Sequence, residues 1–163
     1  RYALRLMIDV AIHQKEGYVA LRDAAQRQGI SVKYLEQIAG MLSKAGMLLS
    51  GRGPQGGYRL AKAPESYTVG SILRLTEGDL APVACLEGEE NRCERSDACA
   101  ALDFWTGLYA VVNAYVDRFT LADLVAQNWK RSSRAANKHS EYRINKRVPA
   151  KAGARFFDLY FDK

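Results

Sequence analysis

Two stretches decide the fold: Gln28-Gly29-Ile30-Ser31-Val32-Lys33-Tyr34-Leu35-Glu36-Gln37 and, shortly after it, Met47-Leu48-Leu49-Ser50-Gly51-Arg52-Gly53-Pro54-Gln55-Gly56-Gly57-Tyr58-Arg59-Leu60. In the first, Gly29 suits a left-handed turn and Ser31 a helix N-cap. The helix that follows carries Val32, Leu35, Ile38, Ala39, Leu42 and Ala45 as one apolar stripe, and Gly46 ends it. Lys33, Tyr34, Glu36, Gln37 and Lys44 are left on its outer face. A shorter helix over about residues 22–27, with Leu21, Ala24 and Ala25 inward, precedes the turn. Two helices joined by a tight Gly-containing turn, the second with a polar outer face, form a helix-turn-helix.

The second stretch predicts short strands at 47–49 and 58–60 around a tip over 50–57. This is a wing. A tip built from glycine and Arg52 lets backbone amides and a guanidinium reach phosphate or a narrow minor groove, while the helix face reads the major groove. Gly51-x-Gly53-x-x-Gly56 also matches a dinucleotide-binding pattern, but context excludes it. Pro54 follows Gly53, a strand follows Gly57 where a helix is needed, and no Lys-Ser/Thr completes a P-loop.

Outward from this core, Leu4, Met7, Ile8, Ala11 and Ile12 space a first helix over residues 2–13, closed by Gly17. Another starts at Thr68 or Ser66 and ends at Gly78. A long helix over about 100–119 carries Ala101, Phe104, Trp105, Leu108, Val111, Val112, Tyr115 and Phe119 on one broad face. The first helix can cover part of that face, and a second subunit is the natural cover for the rest. A two-fold homodimer would match two half-sites in DNA. The predicted fold class is mainly α with a small β-hairpin wing: a winged helix-turn-helix over 1–66, a cysteine-containing loop and dimerisation helix over 67–127, and a basic tail over 128–163.

The 163 residues suffice for one domain plus an appendage. The net charge of +6 divides into +6 over 1–64, −7 over 65–127 and +7 over 128–163. That asymmetry suits a basic module for a polyanion followed by one that stays off it. No apolar run approaches the ~20 residues of a membrane span, so no membrane partner and a cytoplasmic location are expected. Starting at Arg1 inside a helical pattern, the sequence is expected to lack a few native residues. Catalysis finds no constellation. His13 reads as a satisfied helix-end residue, His139 sits in the tail, and Glu89 and Glu90 read as a solvated face.

Arg1-Tyr2-Ala3-Leu4, Gly29-Ile30-Ser31, Tyr34-Leu35-Glu36-Gln37, Arg52-Gly53-Pro54-x-Gly56-Gly57-Tyr58, three cysteines, Trp105 and Thr120-Leu121-Ala122-Asp123-Leu124-Val125 occur in that order. Over residues 1–127 this resembles the Rrf-type winged-helix transcription regulators, the family that includes IscR, NsrR and CymR. The resemblance implies a dimeric regulator, expected to repress, that contacts an operator in double-stranded DNA through Ser31, Lys33, Tyr34, Glu36, Gln37, Arg52, Gly53 and Gly56. It also implies that Cys85, Cys93 and Cys99 ligate an iron-sulfur cluster, and that Trp105, Leu108, Val112 and Tyr115 serve dimerisation.

An odd cysteine count argues against a disulfide framework, and structural zinc would ask for four ligands in close pairs. Soft thiolates suit iron-sulfur clusters, which accept a non-cysteine ligand. The family's positions for a fourth ligand, three after the last cysteine and directly before Tyr2, hold Leu102 and Arg1. Asp97, Asp103, a loop glutamate or an exogenous thiol remain as candidates. The acidic surroundings disfavour a free nucleophilic thiolate and suit a bound cation. Redox thiols without metal, a partner-responsive regulator of the same fold, or no sensory role stay open, as does a non-specific nucleic-acid binder driven by the tail, with its Lys130, Arg131, Arg134, Lys138, Arg143, Lys146, Arg147 and Lys151. The tail falls outside the resemblance, and it can equally be disordered, a docking segment or foreign sequence.

Overall fold

The computed structural model describes residues 1–14, 17–53, 56–88, 90–91 and 93–128. Residues Arg1–Gln127 make one compact unit. Its elements run α1 (Tyr2–His13), α2 (Leu21–Gln28), α3 (Val32–Lys44), β1 (Leu48–Gly51), β2 (Gly57–Leu60), α4 (Val69–Glu77) and α5 (Leu102–Asp117), with short 3-10 turns at Pro64–Ser66, Ala84–Leu86 and Ser96–Ala98. A last helix, α6, covers 121–128. Expected Pro54, Gln55, Glu89 and the tail from 129 onward lie outside the described residues.

The core forms where the apolar stripes meet. Leu6 and Met7 of α1, Leu35 and Leu42 of α3, Leu48 of β1, Ile72 of α4 and Leu121 of α6 have no or almost no exposed surface. Full burial of each such side chain contributes about 1.5–3 kcal/mol. Tyr67 is also buried, and its hydroxyl is satisfied twice: it donates to the Met47 carbonyl at 3.1 Å and accepts from the Lys62 amide at 2.7 Å. The foot of the hairpin is thereby tied to the segment that enters α4.

Caps fall where the side chains demand them. The Thr68 hydroxyl accepts from the Ser71 amide at 3.0 Å and starts α4. Thr120 and Asp123 cap each other at the start of α6: Asp123 accepts from the Thr120 amide at 2.9 Å, and the Thr120 hydroxyl accepts from the Asp123 amide at 3.2 Å. Thr68 and Thr120 pair as an isolated antiparallel bridge, with Val69 N–H on the Phe119 carbonyl and Leu121 N–H on Tyr67. The chain after α5 therefore returns to the base of α4.

Three expectations are corrected. The strands run one or more residues further toward the tip than 47–49 and 58–60, because Gly51 pairs with Gly57 and leaves only 52–56 to turn. Val32 and Ala45, assigned to the buried stripe of α3, are exposed: Val32 is the first residue of the helix and Ala45 the cap that follows Lys44. The first helix is expected to cover part of the broad face of α5; the principal packing of α5 is instead on α4, and α5 holds no fully buried residue.

Candidate nucleic-acid interface and cysteine loop

The turn between α2 and α3 follows from two residues. Gly29 sits at φ 62°, ψ 40°, the left-handed region where a Cβ is penalised, and its N–H returns to the carbonyls of Ala25 and Gln26. Ser31 accepts from the Tyr34 amide at 3.3 Å, so its side chain is the N-cap of α3. Leu35, Ile38, Ala39 and Leu42 then face the core, and Lys33, Tyr34, Glu36 and Gln37 are all exposed.

The start of α3 is braced in part by residues that sequence reasoning did not single out, Arg5, Asp9 and Arg27. The Tyr34 ring meets Tyr2 edge-on, centroids 5.5 Å apart, and the Arg5 guanidinium lies 5.7 Å from the Tyr2 centroid. Arg5 also donates to the Gln28 side chain at 3.0 Å and to the Gln28 carbonyl, which the end of α2 leaves without a helical partner. Beneath it, Asp9 is 2% exposed on α1. It accepts from Arg27 at 2.7 and 3.0 Å and from the Gln28 side-chain amide at 3.0 Å. His13 Nδ1 stands 2.8 Å from the Asp9 carbonyl, the satisfied helix-end histidine expected. The Asp9 contact holds the Arg27 guanidinium above its usual range. A charged residue beside Met7 and Val10 was the available signal for this brace.

The segment before α2 holds the wing on its tip-ward half, where Tyr58 pairs with Ser50 and Gly57 with Gly51. Val19 and Tyr58 exchange backbone hydrogen bonds of 2.8 and 2.9 Å, adding a short third strand position, and the Arg59 guanidinium lies 5.2 Å from the Tyr18 ring. A Cβ on Gly51 would come 2.9 Å from that ring. At the tip, Gly56 N–H closes on the Gly53 carbonyl at 2.9 Å, and a Cβ on Gly56 would overlap the Gly51 carbonyl. Arg52 and Gly53 are exposed, Gly56 half-buried.

All three cysteines lie on the loop that joins α4 to α5 and are free thiols. Cys85 is inside the Ala84–Leu86 turn and half-buried, Cys93 is half-buried, and Cys99 follows the Ser96–Ala98 turn and is exposed. Among the described residues no three of His, Cys, Asp or Glu are gathered closely enough to hold a metal ion. The loop is held by backbone turns and by Asp79, whose carboxylate accepts from the amides of Ala81 at 2.9 Å and Gly88 at 3.1 Å and from the Tyr109 hydroxyl at 2.6 Å. The Tyr109 hydrogen bond, then the Gly88 amide, keeps Asp79 below the usual carboxylate range, and Asp79 in turn raises the Tyr109 hydroxyl.

On α5, Trp105 and Val112 are half-buried, whereas Leu108 (38% exposed), Tyr115 (62%), Phe104 (65%) and Val111 (65%) stand out from the body. The opposite side carries Tyr109, Asn113 and Asp117 at i, i+4 and i+8, a polar ladder that sequence reasoning missed. Arg74 of α4 donates to Asp117 at 2.8 Å through two nitrogens and to Asn113. Gly70 makes room for it, since a Cβ there would overlap the Asp117 carboxylate. The signal for the ladder was its four-residue spacing.

The chain is similar to known proteins over most of its length. The profile of the Rrf2 family, described as "Iron-dependent Transcriptional regulator", matches residues 1–127. The chain belongs to the Rrf2 family. The HTH-type transcriptional regulator IscR of Aliivibrio salmonicida is 38% identical over 128 residues, 78% of this chain and 75% of that protein. Protein rrf2 of Nitratidesulfovibrio vulgaris is 42% identical over 125 residues, 77% and 83%. Among solved structures, CymR of B. subtilis superposes with a TM-score of 0.64 at 34% identity, covering 78% of this chain and 92% of that one. T. potens IscR gives 0.63 at 35%, covering 78% and 82%. The chain is thus an Rrf2-type DNA-binding transcriptional regulator with the winged helix-turn-helix expected. Its relatives are named as regulators, in line with the expectation of no enzyme. Among the described residues no helix is long and apolar enough to cross a membrane.

Proposed function

We propose that the protein is a homodimeric operator-binding repressor whose affinity for double-stranded DNA is set by the state of Cys85, Cys93 and Cys99, which hold an iron-sulfur cluster. In this reading Lys33, Tyr34, Glu36 and Gln37 meet base edges in the major groove. Ser31 orients the helix start by its cap, and Arg52 with the backbone at Gly53 and Gly56 follows the adjacent phosphates or minor groove. The 1–66 part grips DNA, the 67–127 part senses and dimerises, and the 128–163 tail adds non-specific affinity. Trp105, Leu108, Val112 and Tyr115, with Phe104 and Val111, meet their copies across a two-fold axis.

The observation that carries the sensory part is the position of the three free thiols: every cysteine of the chain lies on the segment that joins the DNA-binding body to α5. The donor set fits a cluster by chemistry. Thiolates are the ligands iron-sulfur clusters take, two of the three side chains reach solvent only in part, and an iron-dependent family description and IscR relatives point the same way. Asp97, Asp103 or a loop glutamate is the candidate fourth donor within the chain. When bound, the cluster supplies a redox-sensitive and labile crosslink among three points of the loop. The loop's own turns then have to move, since among the described residues no three of His, Cys, Asp or Glu are gathered to hold a metal ion, and in this reading that movement alters the presentation of two α3 helices to DNA.

Anaerobic purification with iron and sulfide analysis and a visible spectrum, followed by operator selection with and without the chromophore, tests this. The reading predicts stoichiometric iron and sulfide, lost together when the three cysteines are replaced by serine, with a change in operator affinity. A metal-free protein whose affinity responds to an oxidant instead supports a thiol-only regulator. An affinity indifferent to both contradicts any sensory role.

A further inference from the structure

We propose that Asp79 is the positioning residue through which the state of the cysteine loop reaches α5, an inference that rests on the cysteine-sensor reading above. Asp79 directly follows the Gly78 stop of α4, and its one carboxylate joins three parts of the chain. Oδ1 accepts from the Ala81 amide and from the Tyr109 hydroxyl of α5, and Oδ2 accepts from the Gly88 amide, three residues beyond Cys85.

A carboxylate offers about four lone-pair positions, and charge-assisted bonds to it are roughly twice as strong as neutral ones. The turn that carries Cys85 is thus clamped from both sides by Asp79, at Ala81 before it and Gly88 after it. Ligation that draws Cys85 toward Cys93 or Cys99 works against this clamp. It breaks the Gly88 bond, or it pulls Asp79 and with it Tyr109.

From Tyr109 the path continues along α5. Asn113 and Asp117 are the next two positions of the ladder, and both accept from Arg74, while the Thr68 hydroxyl donates to Asp117 at 3.4 Å. The α4 to α5 contact therefore includes a row of hydrogen bonds able to shift register without opening an apolar cavity. The proposal assigns Asp79 the loop end of that row, Arg74 the body end, and to α5 the movement between them.

Tyr109→Phe removes only the hydroxyl that links Asp79 to α5, and Asp79→Asn removes the charge while keeping the shape. Operator affinity is measured for the full chain, before and after reconstitution with ferrous iron and sulfide. Wild type is expected to change about 5- to 150-fold. Tyr109→Phe is expected to take up the same iron and melt at the same temperature, with less than a twofold change in operator affinity. A Tyr109→Phe ratio equal to that of wild type overturns the proposal. Where wild type itself shows no change, the sensor reading fails, and hydrogen exchange in the iron-free protein judges the strap alone. Asp79→Asn is then expected to raise exchange about tenfold over 81–88 and 103–110, and Tyr109→Phe over 103–110 only. Unaltered exchange in both variants overturns it.

Discussion

At the scale of single residues, the placement of α3 depends on a buried group behind it. Asp9 is buried with two partners on α2, and removing it strands Arg27 and the Gln28 amide. Asp9→Ala is expected to destabilise the protein by about 3 kcal/mol, read as a lower denaturant midpoint with unchanged slope. Operator affinity, measured where the variant is still folded, should fall as well, because α2 and the turn at Gly29 are what aim α3. Part of this was legible: Gly29 and Ser31 act locally, and a cap or a left-handed turn is written within three residues of itself. Asp9 was not, since its meaning comes from a guanidinium 18 residues away that the helical turn of α1 brings into line.

Arg52 belongs to the same scale. It is an exposed guanidinium on a glycine tip, and Arg52→Ala is expected to weaken operator binding with a salt dependence shallower by about one counterion if it contacts phosphate. A filter-binding series over several salt concentrations reads both quantities. An unaltered affinity and slope would remove the wing from the interface.

At the scale of elements, α5 has two faces with different tasks. Its polar ladder holds the helix to α4, and the Arg74 hydrogen bonds, followed by its charge, keep the Asp117 carboxyl below the usual carboxylate range. A depressed carboxylate contributes stability above its unfolded value, and that contribution disappears as pH falls through the folded value. Stability is therefore expected to decline below about pH 4, and Asp117→Asn to flatten that acid limb while lowering the neutral plateau slightly, both read from melting temperatures across pH. Its side chain is 43% exposed, so solvent screening keeps the effect small. The other face carries Leu108 and Tyr115 outward. Tyr115→Asp is expected to convert a dimer to a monomer in sedimentation velocity at micromolar protein and to weaken operator binding more than tenfold, because one half-site alone remains. A variant of unchanged mass would show that α5 is not the dimer contact.

The element scale also shows where periodicity misleads. The apolar residues of α5 were visible as one wide face, but which part lies against α4 depends on Arg74 and Gly70, remote in sequence. The strands were placed a little short of the tip because glycine weakens a strand prediction, whereas here Gly51 and Gly57 pair because their bareness lets Tyr18 and the Val19 carbonyl approach.

At the scale of the molecule, charge and topology tell one story. The +6 block of residues 1–64 contains α3 and the wing, and the −7 block of 65–127 contains the cysteine loop and α5. Such a division suits a basic part proposed to meet a polyanion and an acidic part that stays off it. Removing 128–163, with its net +7, is expected to retain sequence preference and reduce the salt slope. Loss of preference would assign recognition to the tail. The arrangement of the cysteines was legible as three thiols on an acidic loop, but not the strap at Asp79, whose three partners are set by how two turns fold back beside α5.

The central claim, that the outer face of α3 with the wing reads a duplex, is tested most directly by one affinity ratio. After selection of an operator from random DNA, fluorescence anisotropy gives the affinities of wild type and Gln37→Ala for the selected site and for a scrambled one. The account predicts a loss of about 10- to 100-fold on the selected site and little change on the scrambled one, as for a side chain that reads a base edge. Equal affinities of the two proteins for the selected site, with preference intact, would contradict it.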